Sequence, residues 1–125
     1  MGRLVLFAVG GGSILTGVFI LFMPTVFYET VPGLAVMGPF SIHFIRDVGL
    51  AFLASGGALL WGGWGRNRTA ALCGASWPSL HAVFHLQIWS MRGFPLDTVF
   101  AFDLVAVVLP SVAALWAAIR LAERR

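Results

Sequence analysis

Four apolar stretches, each near the length of a membrane crossing and almost free of charge, decide what this chain can fold into. They run from Leu4 to about Met23, about Ile42 to Trp64, about Thr69 to Trp89, and about Val99 to Ile119. A helix needs about 20 apolar residues to cross the hydrocarbon core of a bilayer. Inside that core only structures that satisfy their own backbone hydrogen bonds survive. In 125 residues, four such stretches leave room for connectors and none for a separate soluble domain. The chain is 59% hydrophobic and 10% charged, where a soluble domain carries roughly 25% charged residues. The expectation is one all-α membrane domain over residues 1–125, a four-transmembrane-helix antiparallel bundle. The first stretch exceeds a signal-peptide core of roughly 7–15 residues and lacks an A-x-A cleavage pattern, so it reads as a retained helix.

Charge sets the direction of insertion. All eight basic residues are Arg, and the net charge is +3. Arg3 precedes the first stretch, Arg66 and Arg68 separate the second from the third, and Arg120, Arg124 and Arg125 follow the fourth. The opposite connectors hold Glu29, Arg92 and Asp97. Cytoplasmic loops retain positive charge, which predicts both termini and the Arg66–Arg68 turn in the cytoplasm of a bacterium, as a multi-pass protein of its inner membrane. Basic residues interleaved with aromatics on an exposed face are absent, so nucleic acid is not an expected partner. Cys73 is the only cysteine, which excludes an intrachain disulfide and any Cys-based cluster.

Small residues recur on helical faces: Gly10, Ser13 and Gly17; Gly49, Gly56 and Gly63; Ala106, Ala114 and Ala117. In lipid such residues let helices approach closely. Cys73 is expected to be a small buried side chain, and Trp61, Trp64 and Trp89 to anchor helix ends at the interface. The connector over residues 24–41 contains Pro24, Pro32 and Pro39 among apolar residues. It is long for a simple loop and is expected to fold over the outer face as a lid, with Glu29 near the polar groups below.

Those polar groups are the most informative feature. Ionisable side chains inside a bilayer are costly and normally face the bundle interior. His43, Arg46 and Asp47 begin the second helix, His81 and His85 lie in the outer half of the third, and Asp103 lies one turn into the fourth. With this topology they share one depth. His43 and Asp47 are i,i+4 and share a face with Leu50, Ala54, Gly57 and Ala58; His81 and His85 share one with Ala71, Gly74 and Pro78; Asp103 shares one with Val107, Pro110 and Ala114. Each polar stripe continues as small residues, so the histidines and aspartates are expected to point at one another.

Two histidines at i,i+4 suit one metal ion. His43 would supply a third nitrogen, and Asp47 or Asp103 an oxygen. Arg46 neutralises only one of the two aspartates, which leaves negative charge for a cation, and Glu29 would add to it. Mixed imidazole and carboxylate ligands fit Zn, Fe, Mn or Cu(II). Haem fits less well, since it would crowd so small a bundle. The competing reading is a closed network in which Arg46 bridges Asp47 and Asp103 while the histidines donate to carbonyls freed by Pro78. No H-E-x-x-H motif is present, because Ala82, Val83 and Phe84 separate the two histidines.

The segments Phe27–Gly33, Pro39–Gly49 and Pro78–His85 resemble a group of bacterial four-helix membrane proteins with a VPG…HFxRDVG…HxxxH pattern. In size and helix count the chain also resembles the DoxX-like small membrane proteins. The resemblance implies the four-helix plan and singles out His43, Arg46, Asp47, His81 and His85, without implying a reaction. The functional expectation is a small membrane metalloprotein, redox or oxygen-handling, with His43, His81, His85, Asp47 and Asp103 as ligands and Arg46 and Glu29 in support. The alternatives are an accessory subunit whose helix faces bind other membrane subunits or a second copy, and a module that binds a lipid or quinone headgroup.

Overall fold

The computed structural model describes residues 1–122, so Arg124 and Arg125, which enter the charge argument, lie outside the described residues. Among these the chain is all-helical. Helix α1 spans Gly2–Phe22, and the connector that follows contains α2, Pro24–Thr30, and the single turn α3, Leu34–Met37. Helix α4 spans Ile42–Gly65, α5 spans Arg68–Met91, and α6 spans Thr98–Asp103; α6 passes through a wider π turn, Leu104–Val108, into α7, Leu109–Ile119.

The boundaries have local causes. Pro24 sits in the first turn of α2, where its missing N–H costs nothing. The Ser41, Asn67 and Asp97 side chains accept from the N–H groups of Phe44, Ala70 and Phe100 and so cap α4, α5 and α6. Arg66, with φ of 51°, turns the chain sharply from α4 to α5. In the π turn, the Leu109 N–H bonds the Leu104 carbonyl five residues back. This turn ends two residues before Pro110, whose ring could not follow an unbroken α-helix without clashing four residues earlier.

Three helical stretches, α1, α4 and Thr98–Ile119, are long and apolar enough to cross a membrane. Helix α5 is equally long but less apolar, because it carries Ser76, Ser79, His81, His85 and Gln87. The long helices pack in a closed ring: α1 on α4, α4 on α5, α5 on α7, and α7 back on α1. Each neighbour runs antiparallel to the last. Gly10 lies against Gly56 and Gly17 against Gly49, Gly62 lies against Ala71 and Gly74 against Leu59, and Gly2 lies against Ala117. At all of these but Gly2, where a Cβ would find ordinary contact at 3.7 Å, the approach is one that any larger residue would hold apart. The core at the Arg66 end is accordingly built of small side chains, with Ala71, Ala75, Ala114, Ala117 and Ala118 packed around Leu6 and Leu59. Ala106 differs from the expected face. It is exposed, because the π turn adds a residue to the helical repeat between it and Ala114.

Pro78 lies inside α5 and has no N–H to give the Gly74 carbonyl. The Ser55 hydroxyl of α4 donates to that carbonyl instead, at 2.6 Å. Ser111 of α7 donates to the Pro78 carbonyl at 2.9 Å, sharing its proton with the Val107 carbonyl at 2.6 Å. Side-chain hydroxyls thus close the gaps that a helix break would open in a medium without water.

Candidate functional site

The α5 and α6 stretches bring three of the expected residues together. His81 and His85, one turn apart on α5, meet edge to face with Nε2 atoms 3.2 Å apart. His85 Nδ1 lies 2.8 Å from Asp103 Oδ2. That oxygen also accepts from Trp89 Nε1–H at 3.1 Å. Asp103 is 3% exposed, Trp89 3% and His85 9%. Although Asp103 Oδ2 is close to His85 Nδ1, it lies off the direction of the ring N–H, so that nitrogen has no well-aligned acceptor. The contact is an electrostatic one. A carboxylate oxygen this near a bare lone pair would be repelled, so the proton of neutral His85 belongs on Nδ1. Its Nε2 lone pair then faces His81.

His81 is held by aromatic neighbours. Its ring stacks on Trp77 with centroids 5.0 Å apart and planes 10° from parallel. It also lines a cavity of about 40 Å³ in the middle of the ring of helices, with Ser13, Phe52, Pro78 and Ser111 among the other walls. A water needs only about 10–15 Å³ of such space together with polar partners, so the cavity has room for one beside His81, Ser13 and Ser111.

Trp89 is the residue that sequence reasoning misplaced. It is buried and bonded to Asp103 rather than anchored at an interface. The signal was available, since Trp89 follows His85 by four residues and therefore shares its face. Cys73, expected to be buried, is exposed on the flank of α5.

The remaining candidates lie elsewhere. His43 and Asp47 pair with each other, Nδ1 to Oδ2 at 2.8 Å, with their side chains 87% and 56% exposed. They stand on the face of α4 that points away from the other helices, so the expected convergence of all six groups does not occur. The reason is the glycine contacts: Gly49, Gly56 and Gly63 turn the opposite side of α4 inward. Arg46 is exposed and bridges neither Asp47 nor Asp103. Glu29, on α2, is exposed and does not reach the buried group. The connector does cross the end of the bundle, because Gly33, at φ of 91°, packs against Val99 near the start of α6. Tyr28 there donates to the Gly38 carbonyl at 2.8 Å.

Among the described residues, no three His, Cys, Asp or Glu side chains converge as ligands for one ion. The geometry offers instead two facing imidazole nitrogens, one backed by a carboxylate that is in turn held by an indole. No protein-family model, curated protein or solved structure matches the chain.

Proposed function

We propose that this chain is a small bacterial inner-membrane protein that crosses the bilayer four times with both termini in the cytoplasm and holds one transition-metal ion between His81 and His85. The fourth crossing is α5, whose His85 is buried and whose Ser79 and His81 are half-buried against the other helices, while Ser76 and Gln87 are exposed. The antiparallel ring supports this topology by gathering Arg3, Arg66, Arg68 and Arg120 at one end. Four crossings in this order also agree with the DoxX-like plan that the sequence resembles.

The observation that carries the metal reading is the pair of Nε2 atoms 3.2 Å apart with Asp103 behind one of them. Two imidazoles bound to a tetrahedral ion at about 2.0–2.1 Å bring their nitrogens to about 3.4 Å from each other. A metal-bound histidine commonly turns its other ring nitrogen to a carboxylate, which fixes its orientation and raises its basicity. Asp103, held by Trp89, stands beside His85 Nδ1 in position for that role, its contact in this geometry being electrostatic. Charge favours the same arrangement. Among the described residues the buried carboxylate has no Arg beside it, and a cation at the histidine pair neutralises it without bringing a side chain in from solvent. The remaining coordination positions would be filled by water or by a small ligand.

The same 3.2 Å is also the length of an N–H···N hydrogen bond. It favours a second reading in which the cation is a proton shared between the imidazoles. Elemental analysis of protein purified without a His tag separates the two. The metal reading expects near-stoichiometric metal in the parent, a sharp loss in His81→Ala and His85→Ala, and retention in His43→Ala. Metal-free parent protein, or metal that survives both α5 substitutions, overturns it.

A further inference from the structure

We propose that the outward face of α4 is the surface on which two copies of this chain pair side by side in one membrane, with Arg46 of each copy set against Asp47 of the other. Helix α4 is long and apolar enough to cross a bilayer. Its inward side, including Gly49, Ser55, Gly56 and Gly63, is used up against α1 and α5. The opposite side carries His43, Arg46, Asp47, Ala54 and Gly57 together with Leu50 and Trp61, all exposed. A side chain added at Gly57 would meet nothing within 4 Å.

That face is poorly suited to lipid for two independent reasons. Three ionisable side chains sit on it, and such groups in a membrane segment normally face protein. Farther along the same stripe, between the larger exposed Leu50 and Trp61, stand the small Ala54 and Gly57, a choice that gains contact with a helix and nothing with acyl chains. Asp47 is engaged only by His43, and Arg46 makes no ion pair among the described residues.

The azimuths identify the occupant. At about 100° per residue, with His43 at the centre, Arg46 lies about 60° to one side and Asp47 about 40° to the other. Ala54 and Gly57 fall within about 40° of the centre. Two copies inserted the same way in one bilayer run parallel, so their two-fold axis lies along the membrane normal. In a parallel pair, one flank of each helix faces the opposite flank of its neighbour, as the e and g positions do in coiled coils. Arg46 then opposes Asp47 twice, once on each side of the axis, and the face is complementary to itself. The α4 ridge is flanked by two open grooves, about 540 Å³ beside Phe7, Leu60 and Trp64 and about 390 Å³ beside Ala51, Ala58 and Trp77. A second ridge of the same shape has somewhere to put its side chains.

The test uses the full chain in native membranes. In a Cys73→Ala background, which removes the single native thiol, Ala54→Cys is oxidised and compared with Leu15→Cys on the exposed face of α1. A disulfide requires Cα atoms within about 7 Å, so Ala54→Cys is expected to give a product of twice the chain mass and Leu15→Cys none. As a second measurement, energy transfer between labelled copies is expected to fall about tenfold or more in apparent affinity for Arg46→Asp or Asp47→Arg, because like charges then face each other. It is expected to recover when both changes are combined. The proposal is overturned if Ala54→Cys cross-links no better than Leu15→Cys, if its product has the mass of a complex with a different protein, or if the double exchange fails to restore association.

Discussion

Replacing Gly56 by alanine adds one methyl group at the point where α1 and α4 come closest. That Cβ would stand 2.7 Å from the Gly10 carbonyl oxygen and 3.0 Å from the Ile14 backbone nitrogen. Both are main-chain atoms of a packed helix, so no side-chain rotation relieves the contact. Ordinary contact begins at 3.4 Å, and 3.4 less 2.7 leaves α1 to retreat by 0.7 Å at that level. A gap of that size forfeits about a quarter to a half of the dispersion energy of the atoms it separates. Overpacking of this kind costs about 1–3 kcal/mol, and the better helix propensity of alanine returns about 1 kcal/mol. The net expectation is a loss of up to about 2 kcal/mol. Gly12→Ala is the matched control, since a Cβ there meets nothing within 4 Å and only the propensity gain of up to about 1 kcal/mol remains. Thermal unfolding of both variants in one detergent should lower the Tm for Gly56→Ala and leave it level or raised for Gly12→Ala. If Gly56→Ala melts at or above the parent, the two helices are not in backbone contact there, and the packing argument fails.

Ser55→Ala removes the donor that serves the carbonyl freed by Pro78 and should destabilise by about 1–3 kcal/mol, read by the same melting experiment; an unchanged Tm would mean that another group serves that carbonyl. The Phe100 N–H bonded to its carboxylate, with Arg92 beside it, holds Asp97 below the usual carboxylate range. Its contribution is therefore fully present above the ordinary value of 3.8 and is lost as pH falls through the lower folded value. Melting curves taken between about pH 5 and 2 should show a shallower acid decline for Asp97→Asn than for the parent, and identical declines would contradict the assignment. A reporter active only outside the cytoplasm should stay silent when fused to the C-terminus and become active when inserted at Gly93, between α5 and α6; the opposite pattern would invert the topology.

The helical segments were legible because each has a local cause. The apolar runs end at Pro24, at the Arg66–Arg68 turn and at the Arg92–Asp97 connector, and the structure breaks its helices at the same places. The i,i+4 pairs His81–His85 and His43–Asp47 were also legible, since helix geometry alone puts such residues within reach. What one helix cannot show is its rotation within the bundle. On α4 two stripes compete for the interior, one of Gly49, Gly56 and Gly63 and one beginning at His43 and Asp47. The glycines win because backbone contact along the length of α1 outweighs a polar pair that His43 and Asp47 satisfy between themselves. Trp89 escaped notice because a tryptophan at a helix end has a ready explanation at the interface, and only its partner on another helix gives it a different one. The connector was partly legible. Its prolines marked an ordered segment, but Pro24 opens a helix rather than a loop.

The π turn at Leu104–Val108 works like a one-residue spacer between two parts of the same rod. Below it, Ser111, Ala114 and Ala117 are in register with α5 and α1; above it, Asp103 is in register with His85 and Trp89. A rod of uniform α pitch carrying the same number of residues would keep only one of these registers, since each residue advances the face by about 100°. Shortening this turn by a single residue would return it to α pitch with both registers kept, whereas adding a further residue would leave the lower packing in place and swing Asp103 away from the histidines by about 100°. The carboxylate and the alanine face can therefore be tuned separately, and the length of the turn sets whether the two ends of the helix agree.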